Sequence, residues 1–208
     1  MAGSRVQLVL DVGGVLLADL TPTFWRWVAT QENLPHAAVV TRFRAEVRED
    51  LWTGTLSEEQ FWTWCGHRFP RLNLATARDV LAASLRRLPA TRQLGHWARC
   101  ADLHLLSNHR AEWALPALAA FQTHFARITI SSTVGMCKPD PAIYTIVAAH
   151  LPAGAPVIFV DDQARNFPSA VALGWTPLLA DAEGDWLATL ESLLVKGDGT
   201  QGGEAEVT

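Results

Sequence analysis

Long apolar runs are the first thing this 208-residue chain does without. No stretch of about 18 apolar residues occurs, so a membrane-spanning helix is not expected. Concentrated positive charge is missing too: the net charge is −4, the pI is near 5.9, and no block of Lys or Arg stands out. Nucleic acid and anionic membrane surfaces are therefore not expected partners. Cysteine is scarce. Cys65, Cys100 and Cys137 lie far apart and fit no metal spacing, which suits small hydrophobes in a reducing compartment. An apolar run does follow Arg5, but Asp11 breaks it and no A-x-A-like exit comes after, so no secretory leader is read and a cytoplasmic protein is expected. There is no internal repeat and no G-x-G-x-x-G fingerprint, and a carboxylate just before the turn would repel a pyrophosphate; a dinucleotide-binding fold is thereby set aside.

What is present is a globular composition, with 49% hydrophobic and 18% charged residues in a chain long enough to bury a real core. The segment VQLVLDVGGVLLADL, residues 6–20, opens with a continuous apolar run that ends at Asp11 and two glycines. A buried parallel strand emptying into a loop reads this way. Similar runs occur at 103–107 and 157–162, with weaker ones at 127–131 and 176–180. Helical patterns separate them at 111–121, 141–150 and 167–174, and strands alternating with helices predict an α/β fold with a parallel sheet. Residues from about Pro22 to Leu88 differ: they hold no convincing strand, and Trp25, Trp27, Trp52, Trp62 and Trp64 recur among helix-period patterns. Ser57 with Gln60 three residues later forms a capping box ahead of Phe61 and Trp62. This segment predicts an all-α insertion after the first strand, with its tryptophans in its core; exposed ones would favour a dimer. The Gly-rich polar tail, 196–208, is read as disordered.

Three of the predicted strands end in polar groups: Asp11, Ser107 with Asn108, and Asp161 with Asp162. In an open parallel sheet the carboxyl ends of strands face one crevice, so residues far apart in sequence would converge there. Lys138 sits in GMCKPDPAIY, where Pro139 disfavours helix at Lys138, Asp140 can cap, and Pro141 suits a first helical turn. Each residue alone has an ordinary role as turn, cap or solvated charge. A carboxylate nucleophile, a hydroxyl, an ammonium and an acidic pair together form the equipment for phosphoryl transfer through an aspartyl phosphate. Asp11 and the acidic pair would hold Mg²⁺, which takes few carboxylates plus waters, while Ser107 and Lys138 would orient phosphoryl oxygens. A phosphorelay receiver domain uses a similar set, but there the acidic pair comes first in sequence and no helical insertion occurs.

The ordered set LDVGGVL, LSNHR, KPDPAIY and VIFVDDQARN resembles the four motifs of the haloacid dehalogenase (HAD) superfamily. GTLSEEQFW and VDDQARNFPSAVALGW are similar to a bacterial branch containing sugar-phosphate phosphatases, such as those acting on glucose 1-phosphate. The resemblance implies a doubly wound parallel-sheet core, HAD-like and Rossmannoid, over 1–20 and 89–195, with a small helical cap over 21–88. It implies a Mg²⁺-dependent phosphatase of a small phosphorylated metabolite, acting as a monomer or homodimer. Asp11 is then the nucleophile and a metal ligand, Gly13 a metal ligand through its backbone carbonyl, and Ser107, Asn108 and Lys138 the phosphate-binding residues. Asp162 is a further metal ligand, with Asp161 acting directly or through water. Phosphatases of the family usually carry D-x-D, whose second Asp is the general acid and base; this chain has Gly13 there. Loss of that group is worth on the order of 10²–10⁴ in rate. Asp19, His109 or water could substitute for it. The alternative is a HAD-fold protein without turnover that keeps a binding or regulatory role.

Overall fold

The computed structural model of the chain describes residues 4–198. β1 (Val6–Leu10) is followed by α1 (Leu20–Glu32), α2 (His36–Glu46), α3 (Arg48–Thr53), α4 (Glu58–Arg68) and α5 (Leu74–Ser84). The chain then runs through α6 (Leu94–Cys100), β2 (Ala101–Ser107), α7 (Ala111–Ala117), β3 (Phe125–Ile130) and α8 (Ser131–Val134). It ends with α9 (Pro141–Ala148), β4 (Val157–Asp161), α10 (Phe167–Ala172), β5 (Thr176–Leu179) and α11 (Trp186–Asp198).

All strand pairs are parallel and the order is β3-β2-β1-β4-β5. The sheet therefore winds one way from β1 to β3 and the other way through β4 and β5, which puts the switch point between β1 and β4. All five residues of β1 are buried, because helices cover both faces of a parallel sheet. Leu8 and Leu10 join the larger apolar core with Leu103, Leu105 and Val160. Val9 points the other way, into a smaller core with Leu106, Phe159, Tyr144 and Trp175. Gln7 Oε1 and His104 Nε2, on polar residues buried in adjacent strands, are hydrogen-bonded at 2.8 Å.

The predicted helix over 111–121 is broken. α7 stops at Ala117, and residues Ala119–His124 form a 3₁₀ turn. Pro116 has no N–H to donate and crowds the preceding turn, so the α-helix does not continue past it. The last helix runs to Asp198, three residues into the segment read as a disordered tail. Residues 199–208 lie outside the described residues. No helix among the described residues is long and apolar enough to cross a membrane.

Five helices fill residues 20–84. The capping box forms, with Gln60 N–H donating to Ser57 Oγ at 3.2 Å and Ser57 N–H donating to Gln60 Oε1 at 2.8 Å. Trp25 packs on Phe43 with ring centroids 4.6 Å apart, and Trp52 meets Trp113 of α7 edge-on at 6.0 Å. The aromatics of this segment thus share one core with a face of the sheet. Each of the nine tryptophans is buried or half-buried, so the expectation that exposed ones favour a dimer loses its basis. The segment leaves and re-enters the sheet layer side by side: Ala18 N–H donates to Arg86 C=O and Leu88 N–H to Leu16 C=O, both at 2.8 Å.

Candidate active site

The loop after β1 is built on one carbonyl. Val15, Leu16 and Leu17 N–H groups all converge on Val12 C=O, which folds 12–17 into a tight turn. Gly14 sits at φ +69°, and a Cβ there would stand 2.6 Å from the Asp162 carboxyl carbon. The second glycine is therefore required both by the left-handed backbone and by the close approach of the acidic pair. The Gly13 carbonyl accepts no hydrogen bond among the described residues. Asp11 stands at the mouth of this turn with Oδ1 accepting from Val12 N–H at 2.7 Å.

Lys138, one of two lysines in the chain, is buried between carboxylates. Its Nζ lies 2.9 Å from Asp11 Oδ2 and 2.5 Å from Asp161 Oδ2. Burial alone would lower its pKa; Asp11 and Asp161 more than offset this, and the pKa is raised. The lysine is positioned through its backbone, which the Asn108 side chain clasps from both sides: Lys138 N–H donates to Asn108 Oδ1 at 2.7 Å, and Asn108 Nδ2 donates to Lys138 C=O at 2.8 Å. The side chain of Asn108 is thus committed to holding Lys138, leaving its backbone for any phosphate contact. The Lys138–Pro139 peptide bond is cis, and Asp140 caps α9 by accepting from Ala142 N–H at 2.9 Å.

Asp161 at the end of β4 is completely buried and receives Lys138 Nζ, Asn166 Nδ2 and Gln163 N–H. Burial and then the Asp11 charge raise its pKa, against the pull of the Lys138 and Asn166 donors. Asp162 accepts from the Gln163 side chain at 3.3 Å. Burial, then the Asp161 charge, raises its pKa. Carboxylate oxygens of Asp11, Asp161 and Asp162 all lie within 4.8 Å of one another. Ser107, buried at the end of β2, lines the same cavity.

Gly13 and Asp19 are coupled. A Cβ at Gly13 would stand 2.7 Å from Asp19 Oδ1, so the Asp19 carboxylate reaches the space next to position 13. Asp19 precedes α1 in the N-cap position yet makes no capping hydrogen bond, although Asp is among the residue types that usually do. Burial first, then Asp162, Asp11 and Asp161, push its pKa up to about 7. His109 is less suited to proton transfer. Its ring is buried beside Trp52 at 5.7 Å, its Nδ1 accepts from Arg110 N–H at 2.9 Å, and burial lowers its pKa to about 4.

These groups open onto a cavity of about 370 Å³. The sheet supplies its floor, while Val40, Phe43, Arg44, Arg48 and Trp52 from α2 and α3 line it from the helical segment. Every residue singled out from sequence therefore converges at the carboxyl ends of β1, β2 and β4. Missed were Arg165 and Asn166, which lie within the VIFVDDQARN segment, and Arg44 and Arg48, which carry no motif. The donor set fits a hard divalent cation: three carboxylates and a free carbonyl are oxygen ligands, clustered at the floor of the cavity.

No family model matches the sequence, and no curated protein matches it. Solved structures do. A predicted HAD-like family hydrolase from Porphyromonas gingivalis is 22% identical, with TM-score 0.73, covering 91% of this chain and 98% of that one. A HAD family enzyme from Bacteroides thetaiotaomicron, in complex with magnesium and inorganic phosphate, is 19% identical, with TM-score 0.73, covering 89% of this chain and 99% of that one. An L-2-haloacid dehalogenase is 17% identical, with TM-score 0.64, covering 91% of this chain and 100% of that one. The fold of this chain is the HAD-like Rossmannoid fold.

Proposed function

We propose that the protein is a Mg²⁺-dependent phosphatase of a small phosphorylated metabolite, working through a phospho-Asp11 intermediate under a helical cap. The observation that carries this reading is Lys138 wedged between Asp11 and Asp161, beside a cluster of three carboxylates suited to a divalent cation. Asp11, the Gly13 carbonyl and Asp162 would hold the ion, with Asp161 contributing through water. The ion would supply charge neutralisation for the phosphoryl oxygens. The magnesium and phosphate bound to the Bacteroides enzyme of the same fold support the choice of ion and substrate class. Dehalogenases share the fold, but alkyl halide displacement needs no cation cluster.

In the first half-reaction an Asp11 carboxylate oxygen attacks phosphorus and the ester P–O bond breaks. Lys138 and Ser107 steady the phosphoryl oxygens. Asp19 gives the departing alkoxide its proton, taking the part that a second motif Asp plays in the resembled phosphatases. Burial, the largest cause of its raised pKa, favours a carboxyl that can be protonated near neutral pH, as a general acid and then base requires. In the second half-reaction Asp19 takes a proton from water, the water oxygen bonds to phosphorus, and the Asp11–phosphorus bond breaks to release phosphate.

The missing motif carboxylate at Gly13 favours one other reading, a binding or regulatory protein that becomes phosphorylated on Asp11 without turnover. Phosphate release from a panel of sugar phosphates and other small phosphate esters, with and without Mg²⁺, separates the two. Mg²⁺-dependent multiple turnover is expected. No release above an Asp11→Asn control across the panel overturns the phosphatase reading.

A further inference from the structure

The cavity carries a second set of charges that phosphoryl transfer to Asp11 does not use. Besides Lys138, its cationic lining consists of Arg44 at the end of α2, Arg48 opening α3, and Arg165 after β4. Among the described residues none of the three forms an ion pair or a side-chain hydrogen bond, whereas Arg68, Arg78 and Arg110 all find carboxylates.

Arg48 is the telling member. It occupies the first residue of a helix, where the macrodipole favours anions and opposes a cation. It is half-buried, so part of its hydration is lost without a carboxylate to replace it. Burial, then the like charges of Arg165 and Arg44, lowers its pKa. Half-buried Arg48 thus shares one cavity with the exposed Arg44 and Arg165, whose like charges act on it, an arrangement that an oxyanion between them would relieve. Guanidinium forks match carboxylate and phosphate geometry. The transferred phosphoryl group is already served by Ser107, Lys138 and the cation site.

We propose that the substrate carries a second anionic group on its leaving side, a carboxylate or a second phosphate, and that Arg44, Arg48 and Arg165 hold it. The substrate class is then a phosphorylated acid or a bisphosphate rather than a neutral sugar monophosphate. This rests on the phosphatase reading for the identity of the reaction, and binding of phosphonates, which cannot be hydrolysed, keeps the two separable.

The test is calorimetric titration of the Mg²⁺-loaded full chain with propylphosphonate, 3-phosphonopropionate and ethane-1,2-bisphosphonate. These differ only in the far end group: methyl, carboxylate or phosphonate. A charge-assisted hydrogen bond is worth ~1.5–3 kcal/mol, so at least one of the two anionic end groups is expected to tighten binding on the order of tenfold over propylphosphonate. The end group that does so identifies the oxyanion. Arg48→Gln should erase most of that margin, and Arg44→Gln and Arg165→Gln part of it, in proteins whose melting temperatures match the parent. Equal affinity for the three ligands, a margin that survives in the triple Gln variant, or no binding of any of them overturns the proposal. A protein that shows the Arg-dependent margin yet releases no phosphate keeps this inference and loses only the phosphatase reading.

Discussion

A side chain at position 13 would begin 2.7 Å from an Asp19 carboxylate oxygen, so Asp19 would have to turn away from its present position to make room for one. Asp19 also leaves its capping role unfilled, and a missing Asp cap costs a helix about 0.5–2 kcal/mol. A carboxylate held off its local partner and aimed into a cavity is what a proton-transfer role requires. Asp19→Asn is therefore expected to slow turnover by on the order of 10²–10⁴ with alkyl phosphates, and by far less with p-nitrophenyl phosphate, whose leaving group needs no proton. Gly13→Asp alone should also impair the enzyme, because the new side chain meets Asp19. The double variant Gly13→Asp/Asp19→Ala should recover activity relative to Asp19→Asn. Steady-state rates across leaving groups check this; an Asp19→Asn protein equally active on alkyl esters removes Asp19 from the chemistry.

At the level of elements, the helical segment between β1 and α6 is held by its own caps and by its shared aromatic core. The Ser57 capping box sits on an exposed helix start, so its contribution is local and separable from the cavity. Ser57→Ala should cost about 1 kcal/mol, which in a domain of this size lowers Tm by roughly 2–4 °C, with Mg²⁺ binding unchanged. Differential scanning calorimetry with and without Mg²⁺ reads both quantities. Loss of far more stability would mean that α4 organises the rest of the segment rather than merely packing on it. Trp52 and Arg110 tie this segment to the loops after β2 and β3: Ser131 Oγ donates to Trp52 C=O at 2.6 Å, and Arg110 donates to Leu56 C=O at 2.7 Å.

Across the whole molecule, the carboxylate cluster sets how stability follows pH. Asp19 and Asp162 have raised pKa values when folded, Asp19 from 3.8 to about 7. At these two groups the folded state holds protons that the unfolded chain has already released, so their contribution to stability falls as pH rises from about 4 toward 7, whereas buried His109, lowered to about 4, contributes in the opposite sense. Tm of the metal-free Asp19→Asn protein should therefore gain on that of the parent across this window. Mg²⁺ should raise Tm most at the upper end, because it binds the folded state and neutralises the same carboxylates. Thermal melts at several pH values with EDTA or Mg²⁺ check this. A metal-free Asp19→Asn protein whose Tm follows pH just as the parent's does would contradict the cluster's electrostatics.

Sequence by itself determined the alternation of strands and helices, because buried parallel strands are apolar without interruption and Asp11, Ser107 and Asp161 mark their ends. It also determined which residues converge, since residues at the carboxyl ends of parallel strands near a switch point share one crevice whatever lies between them. Helix ends and the break at Pro116 were less legible, since the apolar pattern runs on past Ala117 while the backbone hydrogen bonds do not. Only the tertiary structure decided that the Asn108 side chain holds the backbone of Lys138 instead of a phosphate. The same is true of Asp19, six residues beyond Gly13, which fills the space that glycine leaves. Arg44, Arg48 and Arg165 look like surface arginines in the sequence. In the structure α2, α3 and the segment after β4 bring them to one cavity, where among the described residues none of them forms an ion pair.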